Sequence, residues 1–272
     1  MARKICVITG GGSGMGLEAA KCMPMDHALV ISGRTREKLQ KAAEELASSG
    51  HEVFVAGCDI SNRESVQKLA AYAASLGTIT NVINAAGVSP QMAQEEQLLR
   101  INALGTVYVN EEFSRYMEKG SVILDVSSNS AYALPALMRN LKSFAFADQD
   151  EEKFLHKMIA LSHLTRDSYK RRGFAYALSK SFVIWYSRRC AYQLGTRGIR
   201  VLSLSPGLIA TDMGDLEKEE GKLMIERSAE HRMGIPSELG YSIATAADER
   251  NGYLAGVDIL VDGGATGRNS HC

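Results

Sequence analysis

Two side chains one helical turn apart could carry out acid–base chemistry. Tyr176 is followed four positions later by Lys180, so in a helix the two side chains lie on one face. A free tyrosine has a pKa of about 10, and a neighbouring cation lowers that pKa toward neutrality. Two ordinary residues on a helix face give the same spacing, so the pair alone is weak evidence. It predicts a general acid–base tyrosine only if the rest of the chain supplies a ligand site.

A glycine-rich segment near the start of the chain could bind phosphate groups. Residues 9–16 contain five glycines, at positions 10, 11, 12, 14 and 16, directly after the apolar run at residues 5–8. Glycines let a backbone pass close to a pyrophosphate, and a helix that begins at about Gly14 would present unpaired N–H groups to it. The spacing is Thr-Gly-x-x-x-Gly-x-Gly, and a plain glycine-rich turn is the alternative. Its position between a strand and a helix favours a nucleotide-phosphate loop.

Apolar runs that alternate with helical patterns must position these groups. The runs lie at residues 5–8, 28–32, 53–56, 82–84, 122–126, 201–204 and 257–261, and amphipathic helices are predicted at 37–48, 61–75 and 95–117. Runs of β-branched residues without polar alternation are typical of strands covered on both faces. The pattern predicts an α/β fold, a doubly wound, Rossmann-like parallel sheet in a single domain over residues 1–272. Ligands should gather at the carboxyl ends of its strands.

Composition excludes several classes of partner and site. Lys plus Arg equals Asp plus Glu at 31 each, so no overall charge favours nucleic acid or an anionic membrane. The five cysteines and the six histidines lack metal-ligand spacing, which predicts free thiols and no metal site. The first residues run straight into a strand pattern, and no apolar run reaches membrane-spanning length. We therefore expect a cytoplasmic protein.

One stretch is too long for a simple connection. About fifty residues separate the run at 122–126 from Tyr176, where one loop would suffice. Residues 150–161 have apolar side chains at helical spacing, and Asp148 or Asp150 could cap such a helix. A structureless loop of that length is uncommon in a compact domain. The sequence therefore predicts an ordered helical insertion at about residues 130–172.

Six landmarks occur along the chain in an order seen in a known family. They are residues 9–16, Asn84-Ala85-Ala86-Gly87, Ser127-Ser128, Tyr176 to Lys180, Pro206-Gly207 and residues 261–264. In these residues the chain resembles the short-chain dehydrogenase/reductase family, over essentially its whole length except the insertion. The resemblance implies seven parallel strands, an NAD(P) site and an assembly of two or four identical subunits.

The resemblance also implies catalytic roles. Tyr176 would donate the proton in reduction and accept it in oxidation, while Lys180 would support its acidity and hold the nicotinamide ribose. Ser128 would hydrogen-bond the carbonyl or alcohol oxygen, with Ser127 as the alternative. Asn102 would anchor a water molecule in the proton relay. The gap of 48 positions between Ser128 and Tyr176 is much longer than is usual in the family, and it resembles bacterial hydroxysteroid dehydrogenases that have a helical insertion there.

The end of the second strand should decide the cofactor. An acidic residue there would bind both ribose hydroxyls and repel a 2′-phosphate, but Gly33 occupies the position and Arg34 follows it. This favours NADP(H) over NAD(H), with a solvated Arg34 as the alternative. The expected cofactor-binding residues are Thr9, Gly10, Gly12, Ser13, Gly14, Met15, Gly16, Arg34, Asp59, Ile60, Asn84, Ala85, Ala86, Gly87, Tyr176, Lys180, Pro206, Gly207, Ile209 and Thr211.

Together these features predict an NADP(H)-dependent oxidoreductase that interconverts a ketone or aldehyde and an alcohol. The alternatives are an NAD(H)-dependent dehydrogenase of the same family and a catalytically silent nucleotide-binding regulator. Sugar-nucleotide epimerases usually begin Thr-Gly-x-x-Gly-x-x-Gly, which residues 9–16 do not match.

The substrate pocket should take its variable walls from residues 129–172 and from a lid at 213–232. Apolar side chains in the first segment would suit a bulky hydrophobic ketone such as a steroid, or a contact between subunits. They are Tyr132, Leu134, Leu137, Met138, Phe144 and Phe146.

Overall fold

Seven parallel strands form one sheet in the computed structural model, which describes residues 3–211, 221–222, 225–226 and 228–267. The spatial order is β3-β2-β1-β4-β5-β6-β7, so the winding direction reverses between β1 and β4. Such a reversal opens a crevice at the carboxyl ends of the strands, where ligands bind. The predicted fold is confirmed. The strands are β1 (Lys4–Thr9), β2 (His27–Gly33), β3 (Val53–Gly57), β4 (Thr78–Asn84), β5 (Val122–Val126), β6 (Arg200–Pro206) and β7 (Asp258–Val261).

The helices connect the strands and cover both faces of the sheet. One predicted helix, residues 95–117, is interrupted by a π-helical turn, Arg100–Leu104, which lies between α4 and α5. Three short 3₁₀ turns precede α6, at Asn129–Ala133, Ala136–Met138 and Lys142–Asp148. The described α-helices are α1 (Gly14–Lys21), α2 (Arg36–Ser48), α3 (Arg63–Leu76), α4 (Glu95–Leu99), α5 (Gly105–Ser114), α6 (Glu151–Ser162), α7 (Ser168–Gly195) and α8 (Pro236–Ala246).

The core consists of two apolar layers, one on each face of the sheet. Successive side chains of a strand point to opposite faces, and β1 shows the result. Ile5 and Val7 belong to the layer that also contains residues of α3, α5 and α7, whereas Cys6 and Ile8 belong to the layer with α1, α2 and α8. All four side chains are fully buried. This explains why the strand sequences are apolar throughout rather than alternating.

The predicted insertion is ordered and packs on its own chain. Helix α6 begins after Asp150, whose side chain accepts a hydrogen bond from the backbone N–H of Lys153 at 3.0 Å. The Phe154 ring lies 5.0 Å from the ring of Phe182 on α7, and Phe144 lies 5.4 Å from the same ring. Helix α6 contacts both α4 and α7. Its apolar face is therefore buried within the chain, in the same apolar cluster against which Tyr176 packs.

Charged side chains join the N-terminal end of α6 to α3, to α5 and to the π-helical turn. Glu151 accepts a hydrogen bond from the hydroxyl of Tyr108 at 2.6 Å and lies 3.4 Å from Arg63. Arg100 pairs with Glu152 at 3.0 Å. Ion pairs this exposed contribute little to stability one by one. They orient α6, while the buried aromatic residues supply most of its attachment.

Candidate active site

The glycine loop after β1 is built so closely that side chains would not fit. A Cβ added at Gly10 would lie 2.9 Å from the backbone of Ala86, and one at Gly16 would lie 2.5 Å from the carbonyl oxygen of Gly10. Gly14 has a φ of 55°, in the left-handed region that favours glycine. Ser13 precedes α1 without a side-chain cap. The first N–H groups of α1 therefore stay available to an anion.

Two buried polar residues hold the glycine loop against the loop that follows β4. The Thr9 hydroxyl donates to the Asn84 side-chain oxygen at 2.9 Å and accepts from the backbone N–H of Ala86 at 3.1 Å. The Asn84 amide in turn donates to Asp125 at 3.0 Å. Asn84 does not line the cavity beside these loops; its hydrogen bonds to Thr9 and Asp125 hold the loops that do.

A cavity of about 500 Å³ opens beside these loops, within the size range of small-molecule sites. Fourteen of the predicted cofactor-binding residues line it: Thr9, Gly10, Gly12, Ser13, Gly14, Met15, Gly16, Arg34, Asp59, Ile60, Ala85, Ala86, Gly87 and Thr211. Other lining residues were not predicted from the sequence, among them Ser32, Thr35, Lys38, Cys58, Val88, Met92 and Ile101.

The end of the cavity beside β2 is basic. Arg34 and Lys38 both line it, and the N-terminus of α2 begins between them after Thr35, whose side chain makes no capping bond. The hydroxyl of Ser32 is fully buried and has no hydrogen-bond partner in the described structure. Gly33 places no carboxylate there. The sequence did not predict Lys38 as a cavity residue. Its position in the first turn of α2, four residues after Arg34, is the signal that indicates it.

Lys180 is buried beside Tyr176. Its ammonium nitrogen donates to the carbonyl oxygen of Val126 at 3.0 Å and lies 5.9 Å from the centre of the Tyr176 ring. A Cβ at Gly87 would lie 3.5 Å from the same nitrogen, so the loop after β4 reaches this pair. Burial lowers the pKa of Lys180 to about 8, and the negative charge of Asp125 opposes that shift. The structure thus brings the predicted acid–base pair to the edge of the sheet where the cavity opens.

The two adjacent serines after β5 have different surroundings. Ser127 is buried, and its hydroxyl donates to the backbone carbonyl of Lys180 at 2.7 Å. Ser128 is partly exposed, and its oxygen accepts from the N–H of Ser130 at 3.1 Å. Its own proton stays available for a ligand oxygen. The geometry favours Ser128 over Ser127 as the substrate-contacting serine.

Asn102 lies in the π-helical turn and joins two segments of the site. Its side chain accepts from the N–H of Val88 and donates to the carbonyl of Val88, both at 3.0 Å, and it also donates to Ser179 at 3.3 Å. It is buried. These contacts hold the loop after β4 against α7. Its role in a water relay stays a prediction.

Comparison with known proteins identifies the family. The profile of the short chain dehydrogenase family matches residues 4–138, and a second profile, described as enoyl-(acyl carrier protein) reductase, matches residues 130–266. The chain belongs to the short-chain dehydrogenase/reductase family. As a member of that family it is an oxidoreductase with an NAD(P) site.

Individual relatives of this short-chain dehydrogenase/reductase act on different substrates. L-rhamnose 1-dehydrogenase (NAD(P)(+)) of Azotobacter vinelandii is 28% identical over 282 residues, which cover 96% of each chain. The 7alpha-hydroxysteroid dehydrogenase of Bacteroides fragilis is 27% identical and covers 98% of this chain and 95% of its own. A short chain dehydrogenase of Burkholderia cenocepacia, solved in complex with NADP, is 20% identical, has a TM-score of 0.76 and covers 97% of both chains. That last likeness shows the fold.

A second cavity in this short-chain dehydrogenase/reductase, of about 180 Å³, lies beside the segment after β6. Gly207 and Ile209 line this second cavity, whereas Thr211 lines the larger one, and Pro206 lines neither. Asn129, the residue after Ser128, also contributes to its wall. The other lining residues are Leu208, Ile225, Ser228, Glu230, Arg232, Gly234, Glu238, Leu239, Val261, Asp262, Gly263 and Ala265.

Several expected substrate-wall residues of the enzyme have other positions. Leu134 and Phe144 are buried in protein packing, and Leu137 is almost fully exposed. Tyr132 donates to Asp258 at 2.7 Å. None of these, nor Met138 or Phe146, lines either cavity. The predicted lid at 213–232 falls largely outside the described residues, as does Cys272.

The described ranges of this short-chain dehydrogenase/reductase contain no helix long and apolar enough to cross a membrane. They also contain no group of three His, Cys, Asp or Glu side chains that could hold a metal ion. The four cysteines in those ranges, Cys6, Cys22, Cys58 and Cys190, are free thiols.

Proposed function

We propose that this enzyme uses NADP(H) to interconvert a ketone or aldehyde and the corresponding alcohol, with Tyr176 as the acid–base residue. The observation that supports this most is the buried ammonium of Lys180 beside the Tyr176 ring. A positive charge in a site of low polarity stabilises the phenolate form and lowers the pKa of the phenol. The large cavity at the same edge of the sheet supplies room for a dinucleotide.

The residues of the cavity fit the phosphate-bearing part of NADP(H), and Lys180 lies next to the lining residue Gly87 without lining the cavity itself. The glycine loop and the N-terminus of α1 would bind the pyrophosphate, because their N–H groups are available and no side chain blocks approach. Lys180 would contact the nicotinamide ribose. When bound, the cofactor supplies or accepts the hydride.

The protein's own groups would handle the proton. In reduction, Tyr176 would donate its proton to the carbonyl oxygen of the substrate, which becomes the hydroxyl of the alcohol. Ser128 donates a hydrogen bond to that oxygen while negative charge develops on it. In oxidation the phenolate of Tyr176 takes the hydroxyl proton of the alcohol. Lys180 favours that phenolate because opposite charges attract strongly where water is excluded.

Preference for NADP(H) is proposed on the charge beside β2. Arg34 and Lys38 line the cavity next to Gly33, so two cations face the place where an acid would select NAD(H). The unpartnered hydroxyl of Ser32 adds a hydrogen-bonding group in the same corner. An NAD(H)-dependent dehydrogenase is the alternative.

Two substrate classes are compatible with the family: a bulky hydrophobic ketone such as a steroid, and a compact hydroxylated compound. The apolar insertion residues expected to accept a steroid line neither cavity. The second cavity instead combines Leu208 and Leu239 with the polar Asn129 and Arg232. This mixture favours the hydroxylated compound. We also propose a cytoplasmic homodimer or homotetramer.

The test is cofactor oxidation with a panel of sugars, small ketones and keto steroids. Turnover by the wild type is expected with NADPH and at least one class. Tyr176→Phe should lose turnover while it still binds NADPH, because only the transferred proton is removed. Ordinary kcat in that variant would overturn the role of Tyr176. If the wild type binds NADPH but none of the carbonyl compounds in the panel causes it to oxidise NADPH, the result would instead support the catalytically silent regulator.

A further inference from the structure

A carboxylate lies in the middle of the sheet, where the proposed mechanism does not use it. Asp125 on β5 is fully buried. Its side-chain oxygens accept hydrogen bonds from Asn84 at 3.0 Å, from Asn110 at 3.0 Å to both oxygens, and from Ser187 at 2.8 Å. A buried charge is costly unless it is hydrogen-bonded or compensated by an opposite charge.

The position of Asp125 relates it to Lys180. The next residue on β5, Val126, supplies the carbonyl oxygen that accepts from the Lys180 ammonium. Ser187, which donates to Asp125, follows Lys180 by seven positions on α7, two turns along the same face. Helix α7 is therefore joined to β5 at two successive points, one at the lysine and one at the carboxylate.

Lys180 has no direct ionic partner among the described residues. Its hydrogen bond to Val126 is made to a neutral carbonyl, and the negative charge that acts on it is that of Asp125. Burial alone would favour the neutral amine. We propose that Asp125 is a positioning residue for the acid–base pair: its buried carboxylate is the counterion that keeps Lys180 protonated beside Tyr176. This inference rests on the proposed roles of those two residues.

The pKa values of Asp125 and Lys180 define the pH range in which both groups are charged. Burial raises the pKa of Asp125 to about 6, against the effect of its hydrogen bonds, and burial lowers that of Lys180 to about 8. The carboxylate is lost as the pH falls through the first value, and the ammonium is lost as it rises through the second. Both charges coexist between them, which includes neutral pH.

Ser187 can accommodate either state of the carboxyl group. Its oxygen lies 2.8 Å from Asp125 and 2.8 Å from the carbonyl oxygen of Val183, but a hydroxyl has one hydrogen. With Asp125 ionised, that hydrogen goes to the carboxylate. With Asp125 protonated, the acid donates to Ser187, and Ser187 donates to Val183.

The two titratable groups on α7 near the cluster remain uncharged over this range. Burial raises the pKa of the Cys190 thiol and of the Tyr186 hydroxyl, both on α7, above their ordinary values. The side chains that reach Asp125 from β4 and α5, Asn84 and Asn110, are neutral amides. Glu111 on α5 pairs with Arg63 at 2.6 Å. The positive charge of Lys180 acts on Asp125 and lowers its pKa.

A double-mutant cycle on the cofactor-free protein tests the proposal. The wild type, Asp125→Asn, Lys180→Met and the double variant are unfolded with denaturant at about pH 7 and about pH 9.5. At neutral pH, Asp125→Asn should be much more damaging with Lys180 present, because it leaves a buried ammonium without its counterion. We expect a coupling of at least about tenfold in the unfolding constant. At the higher pH the lysine is neutral and the coupling should disappear.

A merely structural carboxylate gives a different result, namely effects that add at both pH values, and that result would overturn the proposal. Val183→Ala is the matched control, since it removes buried volume from the same face of α7 without changing charge. If a cycle that combines Val183→Ala with Lys180→Met shows the same pH-dependent coupling, that result would also overturn the proposal.

Asp125→Asn places an amide against two amide donors and could fail to fold. In that case the cycle is run with Ser187→Ala, which keeps the carboxylate but removes one of its hydrogen bonds. A smaller coupling with the same pH dependence supports the proposal, and additive effects contradict it. The cofactor-free cycle is independent of turnover, so a wild type inactive on every carbonyl compound would count against the proposed function and not against the Asp125–Lys180 pair.

Discussion

At the scale of single residues, the site combines two kinds of cation with different surroundings. Lys180 is buried and its charge depends on its neighbours, whereas Arg34 is exposed at the mouth of the cavity and always charged. The first can tune acidity, and the second can recognise a phosphate. Each difference leads to a separate measurement.

Arg34 should select the cofactor. Arg34→Ala should raise KM for NADPH about tenfold or more, because a charge-assisted pair contributes roughly 1.5–3 kcal/mol, and it should leave NADH use nearly unchanged. Lys38→Ala should act in the same direction. Arg36→Ala is the control, since Arg36 is an exposed cation in the same turn that does not line the cavity. A wild type that prefers NADH would contradict this at the first assay.

Lys180 should make cofactor binding depend on pH. Its pKa of about 8 in the folded protein is below the ordinary value, so its positive charge is lost as the pH rises through that point. The dissociation constant for NADPH, measured by fluorescence titration, should increase above that pH in the wild type. Lys180→Met should bind more weakly and without this step. If the variant keeps the same step, another group is responsible.

At the scale of elements, α6 is attached by its aromatic side chain more than by its charges. Phe154 is fully buried against Phe182, so Phe154→Ala should lower the free energy of unfolding by about 3–5 kcal/mol. His156→Ala on the exposed side of α6 should change it by less than about 0.5 kcal/mol. Denaturant unfolding of both variants measures the difference. Equal small effects would mean that α6 is not part of the cooperative core.

The sequence predicted best the elements that are determined by residues close together along the chain. The strands were predictable because burial on both faces leaves uninterrupted apolar runs, and α6 was predictable from its spacing and from Asp150. Asp125 was not, since its role depends on Asn110 and Ser187, which are distant in sequence. The sequence predicts Phe144 in a pocket wall or in a contact between subunits, whereas the structure buries it beside Phe182. Only three-dimensional packing distinguishes these environments.

At the scale of the whole molecule, the insertion covers the outer side of α7 near Phe182. The face that α6 turns outward is polar, with Lys153, His156 and Lys157 exposed. An assembly of two or four subunits is still expected from the family, but a contact through α6 would have to be a polar one. Interfaces of permanent oligomers are usually more apolar than that.

Replacing residues 140–171 with a short Gly/Ser linker tests the insertion. The deletion should expose Phe182 and neighbouring aromatic residues, so the variant should unfold more easily and gain mass by association in light scattering. Steady-state assays on the same sample measure substrate preference. Unchanged mass, stability and preference together would leave the insertion without a role in packing, assembly or selection. His163→Ala, a change on the exposed surface of the same segment, serves as the control.

The π-helical turn at Arg100–Leu104 has a consequence for helical register. A π turn contains one residue more than an α turn, so it rotates the side chains of α5 about the helix axis relative to those of α4. Removing a single residue from the turn would let α4 and α5 merge into one regular helix, with all their backbone bonds intact. Relative to α4, the side chains of α5 in the deletion variant would then point in a direction that differs from the wild type by the rotation of one residue, roughly 100°. Asn102 could no longer reach Val88 while α5 kept its buried face on the sheet, so a chain of 271 residues with an undamaged glycine loop and tyrosine would still have a misaligned site.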